Sequence, residues 1–200
     1  VTSLGTNHFN DIEADNDFVL QANDFKFLHI SSCFPRKGID ILLEAYGKSF
    51  CKDDNVSLII KTFDNPHNQV NEILDKCVKA NPNFPNVLIL DKDLDDSQIK
   101  SLLSQANVLV APSRGEGFGL PIAEAMLLEI PVITTGWGGQ SDFCNDKNSW
   151  IIDYSFSKAK SHFNLDNSYW AEPSVDDLAN KLGELYLLQQ SGLTKKIINA

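Results

Sequence analysis

Several features are scarce in this 200-residue sequence, and each absence excludes a class of protein. There are four cysteines and no C-x-x-C pair, which argues against a disulfide framework or a zinc site and favours reduced thiols in a cytoplasmic protein. No apolar run approaches the roughly 18 residues that a membrane span needs, and the N-terminus lacks a signal-peptide pattern. Basic residues number 17 against 27 acidic ones, and the net charge of −10 argues against nucleic acid or anionic lipid as a partner.

What the sequence does contain is a regular alternation of short apolar runs and amphipathic helical patterns. Short continuous apolar strands between helices are typical of a parallel sheet that is covered on both faces. The sequence therefore predicts an α/β fold, a Rossmann-like doubly wound parallel sheet of about six strands in the order 3-2-1-4-5-6. The six apolar runs lie at residues 27–30, 56–60, 87–90, 108–110, 131–133 and 150–152.

The pattern also predicts how the chain is divided. Residues 1–24 are polar and acidic and are interpreted as a lead-in rather than a strand, and residues 25–200 as one domain. Residues 153–174 show no clean period, so we expect a long surface excursion there. The chain opens on Val1 rather than methionine, which suggests a piece of something longer.

In a doubly wound sheet, ligands bind beyond the carboxyl ends of the strands where the strand order reverses, here between the first and fourth strands. The two loops that follow these strands are residues 31–38 and 112–119. The two arginines of the chain, Arg36 and Arg114, lie one in each loop, and Lys37 is beside the first. In an acidic protein this clustering predicts a local anion site.

The second of these loops has the composition of a phosphate-binding loop. Gly115, Gly117 and Gly119 allow close backbone approach, and Pro121 begins a helical pattern. A glycine loop that enters a helix N-terminus offers N–H groups and a favourable dipole to a phosphate.

Two carboxylates, Glu116 and Glu124, flank this loop at a spacing of eight residues. A carboxylate beside a phosphate site is electrostatically costly unless it binds something else, such as sugar or ribose hydroxyls. Alternatively, Glu124 only complements the helix dipole. Trp137, in the next glycine turn, has two alternative interpretations. Its side chain would stack on a sugar ring, or it would be a half-buried residue of the core.

These segments together resemble a known family. Residues 116–124, E-G-F-G-L-P-I-A-E, resemble the E-x7-E signature of the retaining family-4 glycosyltransferases of GT-B fold, the glycosyl transferases group 1. Residues 35–45 are similar to that family's lysine-glycine segment. Residues 5–9 resemble its entry into the C-terminal domain, and residues 135–142 resemble its glycine turn after the fifth strand.

The resemblance implies roles for individual residues in binding a nucleoside-diphosphate sugar. Lys37 would neutralise the diphosphate and Glu116 would contact the donor sugar, which makes these two the expected catalytic residues. Glu124 would hold the nucleotide ribose. The family often has an arginine where this chain has Ser31, so Arg36 or Arg114 would have to supply that charge. The expected donor-binding residues are Arg36, Lys37, Glu116, Gly117, Phe118, Gly119, Leu120 and Glu124.

The resemblance also implies a reaction: transfer of the donor sugar to an acceptor with retention of anomeric configuration, without a cofactor or metal ion. The acceptor, a sugar or glycoconjugate, would be brought by a missing N-terminal domain before residues 1–24, so this fragment is expected to be inactive by itself. Polysaccharide or glycoconjugate biosynthesis in the cytoplasm is the implied setting. The alternatives are a non-catalytic nucleotide-sugar-binding module and a nucleotide-sugar epimerase of GT-B fold.

Overall fold

The computed structural model of the chain describes residues 6–160 and 167–191. Gly5, from the segment expected to enter the domain, and residues 192–200, at the end of the predicted domain, lie outside the described residues. Six parallel strands form one sheet in the order β3-β2-β1-β4-β5-β6, which confirms the predicted doubly wound fold. These strands are β1 (Phe25–Ile30), β2 (Val56–Thr62), β3 (Asn86–Asp91), β4 (Val108–Ala111), β5 (Val132–Thr135) and β6 (Trp150–Ile152).

Helices cover both faces of the sheet, as the continuous burial of strands such as β2 requires. One apolar cluster joins the sheet to α1, α2 and α5, and the other joins it to α3 and α4. Side-chain caps mark the start of two helices, because Asp95 and Gln98 form a capping box on α3 and Ser174 caps α5. The helices are α1 (Ile39–Ser49), α2 (Val70–Ala80), α3 (Asp96–Ser104), α4 (Leu120–Leu127) and α5 (Val175–Gln190).

The described part of the lead-in, residues 6–24, contains no strand but packs on the domain. Phe9 and Leu20 are buried in the cluster on the α3 and α4 face. Lys100 of α3 fixes the segment by donating hydrogen bonds to the carbonyl oxygens of Phe9 (2.9 Å) and Ile12 (2.6 Å).

The surface excursion expected at residues 153–174 contains two strands that the sequence did not predict. Tyr154–Lys158 (β7) and Tyr169–Pro173 (β8) pair as an antiparallel hairpin. The pattern is hard to read because β7 has no buried apolar face. Tyr154, Ser155 and Phe156 are all exposed, and only Ser157 is partly buried, where its hydroxyl accepts from the indole N–H of Trp170. Tertiary contacts to the hairpin, and not its own hydrophobic pattern, therefore hold it.

All four cysteines are free thiols. Within residues 6–160 and 167–191, no helix is both long enough and apolar enough to cross a bilayer.

Candidate functional site

The loops after β1 and β4 lie in direct contact at the carboxyl edge of the sheet. The N–H of Arg114 donates to the carbonyl oxygen of Arg36 at 2.7 Å. Gly38 has a positive φ of 70°, and a Cβ there would overlap the carbonyl of Pro112. The topology therefore brings the two predicted loops together, and a glycine is needed where their backbones meet.

An ion pair between Lys37 and Glu116 is the centre of this crevice. Lys37 Nζ lies 2.5 Å from Glu116 Oε1, and Ser113 Oγ donates to the same oxygen at 2.8 Å. Arg36 Nη1 donates to the carbonyl oxygen of Gly115 at 3.0 Å and lies 3.8 Å from Glu116 Oε2. The side chains of Lys37 and Glu116 are mostly covered, whereas that of Arg36 is 45% exposed.

The glycine turn after β5 closes the crevice from a third side. The N–H of Gly139 donates to the carbonyl oxygen of Glu116 at 3.0 Å. A Cβ at Gly139 would overlap the carbonyl of Gly117, so the two loops touch backbone to backbone. By contrast, a Cβ at Gly115 or Gly117 would meet no atom within 4 Å. The backbone of those two residues therefore borders open space in which a ligand fits.

The glycine loop leads into α4 as the sequence predicts. Gly119, at φ 87°, occupies the N-cap position, and Pro121 lies in the first turn. Phe118 packs on Phe143, with ring centroids 5.1 Å apart. Leu120 is 42% exposed at the first position of the helix. The N-terminus of α4 thus presents its dipole next to the Lys37–Glu116 pair.

Glu124 lies in the second turn of α4 and does not touch that pair. Its side chain is buried, and no hydrogen bond from the described part of the chain reaches its carboxylate. Burial raises the pKa of Glu124 to about 7, and the nearby charge of Asp96 adds to the shift. Glu124 therefore differs from an exposed first-turn carboxylate that complements a helix dipole, because it is buried and lies one turn further along α4.

Arg114 does not join the predicted anion site. Its guanidinium is buried and makes paired hydrogen bonds to Asp40 (2.8 Å each) and to Glu172 on the hairpin (2.5 and 2.9 Å), and it also donates to the carbonyl of Pro35. It stacks over Trp170 at 4.8 Å. Burial by itself would raise the pKa of Asp40, but the hydrogen bonds from Arg114 outweigh this effect and hold the pKa of Asp40 below its usual value. Arg114 is therefore a structural cation, and its two carboxylate partners neutralise it.

Ser31, at the place of the family's arginine, belongs to a buried network. Its hydroxyl lies 2.7 Å from Nε2 of His29, and the N–H of Cys33 donates to the same hydroxyl at 3.0 Å. Nδ1 of His29 lies 2.8 Å from the carbonyl oxygen of Val110. Burial lowers the pKa of His29 to about 4, so the imidazole is neutral at pH 7 and Nδ1 must be the donor. The network joins the ends of β1 and β4 beneath the Lys37 loop.

Sequence reasoning missed Ser113 and Glu172 as parts of this arrangement. Ser113 lies in the glycine-loop segment and a polar residue three positions before Glu116 was a usable signal. No feature of the sequence marks Glu172, because it is 58 residues from Arg114 in the chain and its contact with Arg114 depends on the hairpin.

The fold and the crevice together define a class: a Rossmann-like α/β domain with a cationic, glycine-lined site at the point where the strand order reverses. A family model described as glycosyl transferases group 1 matches residues 11–199. The chain belongs to this family, which confirms the resemblance.

The relatives support the same assignment. The chain is 30% identical over 138 residues to the capsular polysaccharide biosynthesis glycosyltransferase CapM of Staphylococcus aureus, covering 68% of this chain and 35% of that protein. It is 29% identical over 139 residues to an uncharacterized glycosyltransferase, MJ1178, of Methanocaldococcus jannaschii, covering 69% and 36%. The chain thus spans about a third of the length of these relatives.

Solved structures show the GT-B glycosyltransferase fold. Anabaena Alr3699/HepE, crystallised in complex with UDP and glucose, superposes with a TM-score of 0.66 at 20% identity over 88% of this chain and 43% of that one. The C-terminal domain of a glycosyl transferase group 1 protein, LpcC, of Francisella tularensis superposes with a TM-score of 0.64 at 19% identity over 95% and 91%.

Proposed function

We propose that this domain binds a nucleoside-diphosphate sugar and serves as the donor half of a retaining, metal-independent glycosyltransferase. The observation that carries the proposal is the Lys37–Glu116 pair, because it places one cation and one acceptor carboxylate beside open glycine backbone and a helix N-terminus. A diphosphate and a sugar are the two halves of such a donor. Each half finds a chemical partner here.

The diphosphate half of the donor would bind between the loop after β1 and the loop after β4. Lys37 Nζ and the exposed guanidinium of Arg36 supply positive charge, and the N-terminus of α4 supplies a favourable dipole. When the bond between the anomeric carbon and the diphosphate breaks, the electron pair stays with the diphosphate oxygen. Fixed cations and N–H dipoles stabilise the charge that develops there, which is usually the largest catalytic contribution.

The sugar half would lie against Glu116. In the structure the Glu116 carboxylate accepts from Lys37 and Ser113. We propose an exchange of partners on donor binding: Lys37 moves to the diphosphate, and Glu116 accepts from hydroxyls of the sugar. The pair thus holds both groups in place before the donor arrives, which reduces the ordering that binding requires.

Glu124 would accept hydrogen bonds from the ribose hydroxyls. A buried carboxylate with a raised pKa lacks donors, and two hydroxyls would supply them and favour its ionised form. The proposal therefore includes tighter donor binding as Glu124 loses its proton.

The relatives' names are consistent with this proposal. The structure of Alr3699/HepE contains UDP and glucose, CapM is named for capsular polysaccharide biosynthesis, and WbdA of Escherichia coli, 29% identical over 107 residues that cover 54% of this chain and 13% of WbdA, is named a serotype-specific mannosyltransferase. By analogy we propose a role in polysaccharide or glycoconjugate synthesis in the cytoplasm. An acceptor-binding domain before residue 1, and the inactivity of this chain without it, stay predictions.

Calorimetry in EDTA tests donor binding without metal, with UDP, GDP, ADP and dTDP as probes. We expect one of them to bind the wild-type chain and Lys37→Ala to weaken that binding by roughly 1.5–3 kcal/mol, the cost of one charged hydrogen bond. Lys48→Ala is the matched control, because Lys48 is an exposed lysine at the end of α1. No heat from any of the four, with folded protein, would refute the proposal.

Transfer is tested separately with a labelled UDP-glucose or GDP-mannose donor and product chromatography. A glycosylated product indicates a transferase, and a nucleotide sugar with altered stereochemistry indicates an epimerase. Because the acceptor domain is predicted to be missing, this assay compares the chain with a version that carries a preceding domain.

A further inference from the structure

Three aromatic side chains form an exposed cluster at the edge of the crevice, here called the aromatic platform: Trp137, Tyr154 and Phe156. Trp137 and Phe156 lie edge to face with ring centroids 5.0 Å apart, and Tyr154 lies 6.0 Å from Trp137 and 5.5 Å from Phe156. The residues are 46%, 36% and 57% exposed, respectively. Trp137 is therefore not the core residue that the sequence allowed.

The platform is held firmly and close to the proposed donor-sugar site. Trp137 directly precedes Gly138, and its carbonyl oxygen accepts from the side chain of the fully buried Gln140 at 3.0 Å. Two positions later, the N–H of Gly139 bonds to the carbonyl of Glu116. Trp137 is thus part of the same turn that closes the crevice over Glu116.

The hairpin that carries Tyr154 and Phe156 is fixed from its other face. Glu172 of β8 receives the paired hydrogen bonds of Arg114, and the N–H of Ala171 donates to the carbonyl oxygen of Arg114 at 3.2 Å. Ala171 is the strand partner of Phe156. Since Arg114 lies two residues before Glu116, one loop positions both the platform and the pair.

The exposure of these rings costs stability, because apolar surface in water is unfavourable, and clustered exposed aromatics indicate a binding surface. Their combined exposed area is roughly 300 Å², taking about 200–250 Å² for each complete side chain. A stable protein interface needs about 800 Å² on each partner, so the platform alone is too small for a second copy of the chain. The net charge of −10 disfavours an anionic membrane surface.

We propose that the aromatic platform binds one or two neutral sugar rings of the acceptor glycan, beside the donor sugar. A sugar ring presents an apolar C–H face that packs on aromatic faces and a rim of hydroxyls that stays in water, which suits a small, exposed, rigid platform. The inference rests on the proposed function and extends it: this domain contributes to acceptor binding as well as to donor binding.

The test follows the three tryptophan indole N–H signals by NMR during titration with neutral oligosaccharides: oligomannose, maltooligosaccharide and N-acetylchitooligosaccharide. Trp150 and Trp170 are internal controls, because their indole N–H groups donate within the protein to Glu184 and Ser157. Trp137→Phe assigns the Trp137 signal. We expect at least one saccharide to shift the Trp137 signal in a saturable way, and Phe156→Ala to weaken that binding roughly three- to tenfold.

Leu187→Ala is the control variant, since it removes an exposed apolar side chain from α5 and should leave saccharide binding unchanged. No shift of Trp137 with any of the three saccharides, or equal binding by Phe156→Ala, overturns the proposal. So does a change in oligomeric state in Phe156→Ala, measured by sedimentation, because the platform would then be a protein contact. Nucleoside-diphosphate binding is measured on the same samples. If the diphosphate binds and no saccharide does, the aromatic platform proposal fails while the proposed donor-binding function stands.

Discussion

Lys37 and Glu116 are 79 residues apart in the chain, and their side chains meet at 2.5 Å between Nζ and Oε1. Each lies on a loop at the carboxyl edge of the sheet, after β1 and β4, and the adjacency of these strands brings the loops together. The pair neutralises two largely covered charges in the absence of a ligand. Any ligand that binds Lys37 must therefore compete with Glu116.

The first prediction concerns Glu116→Gln. Removing the carboxylate charge weakens the hold of residue 116 on Lys37, so the affinity for a nucleoside diphosphate should rise by roughly 1 kcal/mol, the difference between a charged and a neutral hydrogen bond. The affinity for the matching nucleotide sugar should fall relative to the diphosphate, because the hydroxyl acceptor is weakened. Calorimetry with both ligands measures the difference.

The matched control for this change is Glu72→Gln, an exposed glutamate in the first turn of α2. It should leave both affinities unchanged. If Glu116→Gln weakened the nucleoside diphosphate and the nucleotide sugar equally, the proposed exchange of partners would be wrong.

The second prediction concerns stability and pH at Glu124. Its pKa is raised from 4.5 to about 7 in the folded chain, so between these values the folded state binds more protons than the unfolded state. Stability is therefore lost as pH rises from about 4.5 to about 7. Glu124→Gln should be more stable than wild type by about 1–3 kcal/mol at pH 8, with no difference below pH about 4.

Urea unfolding at several pH values measures this difference, and Glu72→Gln again serves as the control. The same Glu124→Gln variant should bind nucleoside diphosphate more weakly if the carboxylate holds the ribose. If wild type and Glu124→Gln were equally stable at pH 8, burial of the ionised Glu124 carboxylate would not destabilise the fold, and the prediction would be wrong.

A third prediction separates the two arginines. Arg114→Ala removes a buried guanidinium with several charged hydrogen bonds and should destabilise the fold by roughly 1.5–3 kcal/mol, the scale of a lost charged hydrogen bond, because Asp40 and Glu172 remain partly exposed to water. Arg36→Ala removes a half-exposed side chain and should change stability by less than about 0.5 kcal/mol, while it weakens diphosphate binding. Thermal unfolding and calorimetry on both variants test this, and a stable Arg114→Ala would contradict the structural role.

The fourth prediction uses two glycines of the crevice. At Gly117 an added Cβ meets nothing within 4 Å, so Gly117→Ala should keep the fold and obstruct the donor. At Gly139 the Cβ would overlap the carbonyl of Gly117, and Gly139→Ala should destabilise the chain by roughly 1–3 kcal/mol. Gly183→Ala, in the middle of α5 with no atom near the added Cβ, is the reference: it should leave donor binding unchanged and raise stability by about 0.5–1 kcal/mol, because alanine favours the helix. Unchanged donor binding by folded Gly117→Ala would show that the donor does not approach this backbone.

Local patterns were enough to predict most of the sheet. A central strand such as β2 is buried on both faces and so appears as a continuous apolar run. The helical patterns between the runs indicate parallel strands, and the observed strand order is the one expected of a doubly wound sheet. The hairpin at β7 and β8 escaped this reasoning, because Tyr154, Ser155 and Phe156 are all exposed and β7 therefore shows no alternation of apolar and polar positions.

The sequence by itself determined the fold, the two loops of the site and the residue types in them, since strand burial, glycine content and the positions of Lys37 and Glu116 are all local properties. Only the tertiary structure decided which charges are available to a ligand. In the sequence, Arg36 and Arg114 look equivalent, because each lies in one of the two loops of the site. In the structure, Asp40 and Glu172 pair with Arg114, whereas the guanidinium of Arg36 stays half-exposed. The availability of a charge depends on partners that are distant in the chain, and the packing of the hairpin against the glycine loop sets those partners.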